Sequence, residues 1–567
     1  MARQLLRIVR LLPLLACLGL AASARAATIT IVNLDGAGEG FNDATAATPV
    51  GGNTGTTVGA QRLQVFQQAA ATWGAILPSN VTILVNSYFD ALSCTSTSAV
   101  LGSAGTTTVH RDFAGAPYAA TWYPQSLANK LAGTDLDASS SDMTARFNVS
   151  LGATGCMDGY TWYYGFDHAE SASQIDLLAV LLHEMGHGLG FATYASGTTG
   201  ALYNSYPDVF CRYLYDQTTG LHWNEESNAQ RAASAIVPYK LLWDGAAVKF
   251  MAPHTLNRGR ALLRVNAPSS IAGDYDVGLA TFGPALTAAG VTGDVVLALD
   301  GSGTTTDACT ALTNAAAMAG KVAIVDRGTC AFAVKTKICQ DAGAIAVIVA
   351  DNAAGAPPAG MSGTDATITI PTVRVTQADG TLLKAQIANG LNVTFMVDTT
   401  QYAGADAAGR VMVYTPNPFQ SGSSVSHFDV SCTPNLLMEP AINADLTSSV
   451  DLTRYAFEDI GWLPHTTGVP EGGPESYAAL LANRPNPFTH STSIHFVLPS
   501  AGAADLAVYD VTGRRVRQLV HQSLPAGEHV TVWDGANDDG RPLRAGVYFS
   551  RLTVGGVAQS RRVVFVR

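Results

Sequence analysis

The chain has 567 residues, of which only 14% are charged, and its formal net charge is −11. A sparsely charged, acidic chain lacks the basic surface that nucleic-acid binding requires, so no nucleic-acid partner is expected. The 55 glycines and the many small residues predict a β-rich, loop-rich chain of several domains.

Residues 1–26 have the pattern of a secretory signal peptide. A basic start is followed by an apolar run from Leu11 to Ala22, and Ala24-Arg25-Ala26 fits a small-residue cleavage site. The apolar run is shorter than a membrane-spanning helix. We therefore expect a secreted bacterial protein that is extracellular or bound to the cell surface.

The cysteines predict disulfides. Eight cysteines less Cys17, which leaves with the signal peptide, gives seven, and none forms a CxxC pair. In an exported chain this spacing favours disulfides over a cysteine metal site, and an odd number leaves at least one thiol without an intramolecular partner. The best pairings by predicted subdomain are Cys94 with Cys156, and Cys309 with Cys330.

The first folded segment is predicted to run strand, helix, strand. Residues 27–32 alternate as a strand, residues 60–77 place apolar side chains on one helical face, and residues 81–85 alternate again. A buried helix is predicted next, because residues 175–182 are almost entirely apolar and Ser173 with Asp176 forms a capping-box signal. The predicted order is therefore strand, helix, strand and buried helix.

That helix carries the most informative motif, His183-Glu184-Met185-Gly186-His187. Residues four apart lie on one helical face, so His183 and His187 can bind one metal ion. Glu184 then lies beside the metal, where it can take a proton from a bound water. Zn²⁺ suits this role because it binds neutral imidazole and lowers the pKa of its water.

A catalytic zinc site needs three protein ligands and one open position, and the third ligand is not evident near the motif. Thr193 stands where the short metzincin pattern has its third histidine, and a threonine cannot replace imidazole. Two alternatives remain. A gluzincin would use Glu225 or Glu226, whereas a metzincin with a long insertion would use His427.

The surroundings of His427 carry a family resemblance. Ser426-His427-Phe428, followed by Asn435-Leu436-Leu437-Met438-Glu439-Pro440, resembles the leishmanolysin-type metzincins, although Phe428 stands where that family usually has tryptophan. The resemblance covers roughly residues 60–260 and 405–465. It implies the following roles: zinc ligands His183, His187 and His427, general base Glu184, and structural Met-turn residue Met438.

The long segment between the two halves of this pattern reads as a separable domain. Residues 321–326 predict a strand, residues 335–342 a helix, and residues 343–350 a buried strand. The segment 262–400 resembles a protease-associated (PA) domain, an α/β insert found in several peptidase families. The resemblance implies contact with substrates or partners rather than chemistry.

The C-terminal region predicts a small β-sandwich. Residues 466–483 read as a linker, and residues 504–510 and 546–552 are the clearest of several short strands that follow it. Residues 484–567 resemble Ig-like modules of the flagellar hook-capping type and of type IX secretion sorting domains. That resemblance implies a sorting or attachment role, with contact to the cell surface or the secretion machinery.

The expected fold class is thus α+β and multidomain, with a metzincin-like catalytic domain interrupted by an α/β PA domain and followed by a β-sandwich. The expected units are a signal peptide (1–26), the two catalytic parts (27–261 and 401–465), the PA insert (262–400), a linker (466–483) and the sandwich (484–567).

The expected function is a secreted zinc metalloendopeptidase that hydrolyses proteins or peptides through a zinc-activated water. Two alternatives stay open. One is a catalytically inactive surface-adhesion protein on a protease scaffold, and the other is a gluzincin-type peptidase that uses Glu225 or Glu226.

Overall fold

A computed structural model of the chain describes residues 26–301, 303–443, 446, 449–463, 479–481, 483, 485–498, 501–525, 527–554 and 557–566. The predicted signal peptide, apart from Ala26, lies outside the described residues, as does 466–478 of the predicted linker. Among the helices that the structure describes, none is long and apolar enough to cross a membrane.

The N-terminal unit is built on a four-stranded sheet with two large helices. Its elements are β1 (Ile29–Asn33), α1 (Val58–Ile76), β2 (Ile83–Asp90), β3 (Gly102–Thr106), α2 (Gln125–Ala132), β4 (Met143–Asn148), β5 (Thr161–Tyr163), β6 (Gln174–Asp176) and α3 (Leu177–Gly188). The sheet order is β1-β2-β4-β3. The first three strands are parallel, and β3 is an antiparallel edge strand.

Local sequence explains why these elements form and pack. The side chain of Thr57 caps α1 by accepting the Ala60 N–H, which satisfies one of the free donors at a helix start. Along β2, buried and partly exposed residues alternate, as expected for a strand. Trp73 of α1 is fully buried, and its indole N–H donates to the Leu182 carbonyl of α3 at 3.2 Å. The two helices are thereby fixed together.

The remainder of this unit comes from both sides of the insert. Its elements are β7 (Leu214–Asp216), α4 (Asn228–Ser234), β8 (Leu241–Trp243), α5 (Ala246–Thr255), and, beyond the insert, β17 (Val411–Met412) and α8 (Thr453–Asp459). Strand β8 pairs with both β7 and β17. Buried Asp459 of α8 accepts the N–H groups of Ala247 and Val248 at the start of α5, where Gly245 offers no capping side chain.

The insert is an α/β unit with an eight-stranded mixed sheet. Its elements are β9 (Arg258–Ala267), β10 (Gly273–Tyr275), β11 (Gly278–Leu279), β12 (Val291–Leu297), β13 (Val322–Asp326), α6 (Phe332–Asp341), β14 (Ala346–Ala350), β15 (Thr372–Val375), α7 (Gln377–Gln386) and β16 (Asn392–Tyr402). The sheet order is β10-β9-β16-β12-β13-β14-β15-β11. The pairing of β9 with β16 begins at Arg258 and Tyr402. Both predicted boundaries of the insert, 262 and 400, therefore fall inside a strand.

The C-terminal unit is a two-sheet β-sandwich, as predicted. Its strands are β18 (Ala479–Leu480), β19 (Thr492–Leu498), β20 (Gly502–Asp510), β21 (Arg515–Leu524), β22 (Gly527–Trp533), β23 (Gly546–Val554) and β24 (Val557–Phe565). One sheet has the order β18-β19-β22 and the other β21-β20-β23-β24. Leu506 and Trp533 are fully buried between them. The multidomain α+β class with a C-terminal sandwich is confirmed.

Both predicted disulfides are confirmed. Cys94 pairs with Cys156, and Cys309 pairs with Cys330 inside the insert. Three further cysteines of the described chain have free thiols, and all three are buried: Cys211, Cys339 and Cys432.

Candidate metal centre

Helix α3 begins later than the capping-box signal predicts. The side chain of Asp176 is the N-cap and accepts the N–H groups of Leu178 at 2.8 Å and Ala179 at 3.4 Å. Residues Gln174–Asp176 form strand β6, which pairs with β5. The prediction of Ser173 as the capping residue is therefore wrong, because strand pairing holds the chain extended up to the aspartate.

The structure brings the three predicted histidines together. His183 and His187 lie on one face of α3, and their Nε2 atoms are 3.1 Å apart. His427 lies 240 positions after His187, and its Nε2 is 3.2 Å from the Nε2 atoms of both helical histidines. His427 belongs to residues 413–440, an irregular stretch between β17 and α8 that we call the His427 segment.

Backbone carbonyls fix the tautomer of each imidazole. Each Nδ1 lies 2.7–2.8 Å from a carbonyl oxygen, that of Leu437 for His183, Phe191 for His187 and Ser423 for His427. A carbonyl oxygen only accepts hydrogen bonds, so each Nδ1 carries the proton. All three Nε2 lone pairs therefore point at one another without a donor between them.

This donor set fits a zinc ion. Nitrogens bound at roughly 2.0–2.1 Å in a near-tetrahedral site are separated by little more than 3 Å, as these three are. Burial lowers the pKa of His183 to about 3 and that of His187 to about 4, and it holds the pKa of His427 well below its ordinary value. The imidazoles stay neutral, which is the form that binds metals.

No other such group occurs in the part of the chain that the structure describes. The three histidines are the one set of three or more His, Cys, Asp or Glu side chains with ligand atoms within 4.8 Å of one another. Glu225 accepts a backbone N–H from His222, and Glu226 accepts a threonine hydroxyl. The hydroxyl of Thr193 donates to buried Asp208 at 2.8 Å. None of these three candidate positions joins the histidine group.

Glu184 lies beside the histidines and is held by the edge strand. Its Oε2 accepts the Ala104 N–H of β3 at 2.9 Å. Removal from water raises the pKa of its carboxyl group to about 7. A buried carboxylate with a pKa near neutrality can take up and release a proton under ordinary conditions.

Glu184 and the histidines open into a cleft with a volume of about 720 Å³. Residues 99–104, which include the start of the edge strand, line the cleft. Ser421–Ser423 and Ser426 of the His427 segment also line it. Residues 439–442 complete the cleft. Chain from both sides of the insert thus contributes to a single depression.

Met438 packs directly behind α3. It is fully buried, and a Cβ atom added to Gly186 would lie 2.7 Å from its Sδ. The Met438 carbonyl accepts the Phe428 N–H at 2.8 Å, and the neighbouring carbonyl of Leu437 accepts the imidazole proton of His183. This turn therefore connects the helical histidines with the segment that carries His427.

Sequence reasoning missed the groups that orient the site. The Ala104 N–H and the three carbonyls that hold the imidazoles are backbone groups. Backbone groups are common to all residue types, so the sequence does not indicate which of them contact the site. Asp451 was also missed as a site residue. Its partly buried carboxylate accepts the Leu437 N–H at 2.5 Å and so helps to hold the turn that carries Met438.

Two segments match known families. Residues 291–383 match the model of the PA domain. Residues 486–555 match that of the FlgD Ig-like domain. The insert contains a PA domain. The PA resemblance and the hook-capping resemblance of the C-terminal region are thereby confirmed, whereas its resemblance to type IX sorting domains stays a prediction. Both matches lie outside the histidine cluster.

Similar proteins include several peptidases. The chain is 39% identical over 69 residues to the probable lipoprotein aminopeptidase LpqL of Mycobacterium tuberculosis, a match that covers 12% of this chain and 14% of that protein. The chain thus spans about a seventh of that relative's length.

Solved structures give local similarity only. A zinc aminopeptidase of Bacillus subtilis, BSAP, shares 20% identity over 34% of this chain and 42% of its own, with a TM-score of 0.19. An aminopeptidase from Aneurinibacillus sp. strain AM-1 shares 16% over the same proportions, also with a TM-score of 0.19. FlgD from Xanthomonas campestris shares 25% over 15% of this chain and 64% of its own, with a TM-score of 0.12. At such scores, the function of the histidine site must be argued from its own residues.

Proposed function

We propose that this protein is a zinc-dependent metalloendopeptidase of the leishmanolysin-like metzincin type. The observation that carries the proposal is the convergence of three neutral imidazoles beside a carboxyl group in an open cleft. Three lone pairs that face one another are unfavourable unless a cation lies between them. His183, His187 and His427 would hold that cation, and protein or peptide chains would be the substrates.

A Zn²⁺ ion held by the three imidazoles would supply a water of lowered pKa and would polarise a peptide carbonyl. The chain's own contribution is proton transfer by Glu184. The bond from the Ala104 N–H fixes Oε2, so Oε1 is left to accept the proton of the attacking water. The same carboxyl group would then return that proton to the leaving amine.

The edge strand β3 supports binding of an extended peptide. The backbone groups of Leu101 and Thr107, just beyond the two ends of β3, form hydrogen bonds on the side of strand β4. Because the backbone groups of successive residues point to alternate sides of a strand, the Ala104 N–H points away from the sheet and towards the cleft. An exposed strand edge can take a further strand, which binds a substrate backbone without regard to its side chains. This arrangement fits cleavage of unfolded or extended protein segments.

The cleft favours an endopeptidase over an aminopeptidase. An aminopeptidase must hold a free α-amino group, and an acidic side chain commonly serves that purpose. Among the described residues that line the cleft, the acids are Glu184 and Glu439. Glu439 accepts the Leu436 N–H at 2.8 Å and the amide of Asn443 at 3.2 Å. Glu184 is assigned to proton transfer, so neither of these two acidic side chains is available to bind a free α-amino group.

The metzincin type is supported by the packing of Met438. A buried methionine in a turn behind the two helical histidines, followed by a closing helix, is what the family resemblance implies. Trp462, just after that helix, donates its indole N–H to the Leu189 carbonyl at 2.8 Å and packs the helix against the end of α3. A gluzincin site gains no such support, because Glu225 and Glu226 bond elsewhere.

We also propose that the protein is exported and that its sandwich serves sorting or attachment. Two disulfides support export, since such bonds persist in oxidising compartments. The FlgD-like Ig domain supports a role outside the active site.

The decisive experiment compares Glu184→Gln with the parent protein. We expect the variant to keep its zinc, measured by elemental analysis, and to cleave a denatured protein about 10²–10⁴-fold more slowly, because only the proton acceptor is lost. Glu225→Gln is the matched control, since that side chain is half exposed. Retention of full activity in Glu184→Gln would refute the mechanism, and an inactive parent protein that binds zinc would favour the adhesion alternative.

Peptides labelled internally and at either end separate the two kinds of peptidase. An endopeptidase releases internal fragments from a chain with a blocked amino terminus. An aminopeptidase leaves the same blocked chain intact, and that result would overturn the endopeptidase assignment while leaving the zinc site in place.

A further inference from the structure

A second cavity lies behind the His427 segment, on the side of the PA insert. Its volume is about 720 Å³. The cleft side of the segment is lined by Ser421–Ser423 and His427, whereas this cavity is lined by Pro416, Asn417 and Val430. We call it the insert cavity. One irregular segment thus separates it from the candidate metal centre.

The insert holds the His427 segment on both sides of this cavity. At one side, Ala356 and Asn417 exchange two backbone hydrogen bonds of 2.8 and 2.6 Å. At the other, the Asn257 N–H at the base of the insert donates to the Thr433 carbonyl at 2.6 Å. Because both attachments are backbone bonds, the space between them is a formed cavity rather than a gap between loosely placed units.

Two arginines share one carboxylate in the wall of the insert cavity. Arg327 and Arg374 both donate hydrogen bonds to the carboxylate of Asp351, and the bond from Arg327 is 3.1 Å long. The side chains of Asp351 and Arg374 are 12% and 7% exposed, whereas that of Arg327 is 39% exposed. Two guanidinium groups offer ten N–H donors, and one carboxylate cannot satisfy them. Asp351 therefore orients two cations and leaves one positive charge in excess.

The other charged pair in the wall adds no net charge. Arg260 donates to Asp276, and both line the cavity. Much of the remaining wall is apolar and includes Val277, Leu279, Met412, Pro357 and Pro358. A cavity of this size with apolar walls and a few polar groups that converge is typical of a small-molecule or peptide site.

We propose that the insert cavity binds the carboxyl-terminal end of a peptide, with its carboxylate on the guanidinium groups of Arg327 and Arg374. A planar guanidinium matches a carboxylate in geometry and binds it through paired hydrogen bonds. The apolar wall takes the last side chains of the peptide. The choice of a peptide rests on the proposed peptidase function, because each cleavage creates a new terminal carboxylate, whereas the carboxylate site rests on the cavity itself.

Because the His427 segment forms one wall of the cavity, a bound peptide end contacts the chain that carries the third histidine. If the peptide binds one position of this segment more tightly than another, its binding must change the affinity of the site for zinc. Zinc must then change the affinity for the peptide by the same factor. The insert thereby becomes a means by which products or substrate ends act on the metal centre.

The test uses zinc-loaded full-length Glu184→Gln protein and calorimetric titration with acetyl-Ala-Ala-Leu. We expect the peptide acid to bind about tenfold or more tightly than its C-terminal amide, because the amide lacks the charge that the arginines pair with. Arg327→Gln should weaken binding of the acid by about tenfold and leave that of the amide unchanged. Arg264→Gln is the matched control, since this arginine lies on the same insert sheet, is 39% exposed like Arg327, is paired with Asp274, and does not line the cavity.

Equal binding of acid and amide, absence of binding, or an acid affinity unaffected by Arg327→Gln would each overturn the proposal. Tight binding of acetyl-Ala-Asp-Ala amide would assign the site to acidic side chains and so overturn the terminal assignment. Arg374→Gln provides a second variant, and should it fail to fold, Arg327→Gln alone decides. None of these titrations requires turnover, so a failure of the proposed peptidase activity is distinguishable from a failure of this site.

Discussion

Two regions supply the histidines, and they hold them in opposite ways. Helix α3 places His183 and His187 through its own backbone hydrogen bonds, one turn apart. The His427 segment has no helix or long strand, and it is held by backbone bonds to other parts of the chain. Val413 donates to the Leu241 carbonyl, and Asn257 donates to the Thr433 carbonyl.

The two regions differ in how far along the chain the contacts that position each histidine lie. A helix is specified by the residues within it, so the spacing of His183 and His187 carries its own geometry. The position of His427 depends on a strand before the insert, a turn after it, and the insert itself. A ligand held by distant contacts can be moved by events elsewhere in the molecule, whereas ligands on a buried helix cannot move so readily.

The largest effect is expected from removing either kind of ligand. His183→Ala and His427→Ala should both reduce zinc from about one per chain to nearly none and lower peptidase activity by about a thousandfold or more, because two imidazoles hold zinc poorly. Elemental analysis and an assay on denatured protein measure both quantities.

Glu225→Ala serves as the control and should retain zinc and activity, since its carboxylate bonds to His222 outside the histidine group. A His427→Ala protein that retains its zinc and its activity would contradict this prediction. It would show that the distant segment merely lies near the helix.

A smaller effect is expected where the two regions touch. In Gly186→Ala the new Cβ would lie 2.7 Å from the Met438 Sδ, and in Gly188→Ala it would lie 2.6 Å from the Met143 Sδ in the sheet. Both changes overpack the core and should lower the free energy of unfolding by about 1–3 kcal/mol.

Only Gly186→Ala pushes on the turn that carries Met438 and the carbonyl of Leu437. We therefore expect zinc affinity, measured by competition with a chelator, to fall more for Gly186→Ala than for Gly188→Ala at similar loss of stability. Equal loss of zinc affinity in the two variants would mean that the Met438 turn has no special influence on the metal centre.

The same contrast explains what could be predicted from sequence. The first strands, helix α1 and the metal helix follow from hydrophobic periodicity, which acts within each element. The pairings Cys94–Cys156 and Cys309–Cys330 follow from placing partners in one predicted subdomain. The strands of the insert follow from unbroken apolar runs such as Ala346–Ala350, which is fully buried.

What could not be predicted depends on contacts between distant segments. The start of α3 is set by the pairing of β6 with β5, which local capping rules ignore. The insert's boundaries depend on the pairing of Arg258 with Tyr402, 144 positions apart (402 − 258), at the open end of its sheet. His427 itself was reached through a family resemblance rather than through periodicity, because an irregular segment has no period.

The insert's hold on the His427 segment should be weak but measurable. Ala356→Pro removes the N–H that donates to Asn417, since proline has none. Loss of one such bond is worth about 1 kcal/mol, so we expect zinc affinity to fall by about fivefold or less. The chelator competition that measures the glycine variants serves here too.

Ala356→Ser keeps the N–H and is the matched control. His183 and His187 lie on α3, which neither change touches, so we expect any loss in zinc affinity to come through the His427 segment. An unchanged zinc affinity in a folded Ala356→Pro protein would show that the insert is attached to the segment without positioning it.

The smallest effect on zinc binding is expected at the base of the metal helix, where the change is one of stability and depends on pH. His168 Nδ1 lies 2.5 Å from the Oδ2 of Asp176, whose Oδ1 caps α3. The hydrogen bond to Asp176 raises the pKa of His168 against the opposing effect of burial, with Glu170 and Asp167 adding to the increase. The charged pair thus stabilises the helix that carries two of the three histidines.

A raised pKa in the folded state means that this stabilisation is fully present below the ordinary histidine pKa and is lost as the pH rises through the folded value. His168→Asn removes the charge, and asparagine tolerates the positive φ of 54° at this position. We expect the variant to be less stable than the parent by about 1.5 kcal/mol near pH 6, and this difference to narrow near pH 9, as measured by chemical denaturation. The loss should leave zinc content at saturation unchanged, because a destabilised helix that still folds keeps its imidazoles on one face. A stability difference that is constant between the two pH values would mean that the imidazole is not charged in the folded protein.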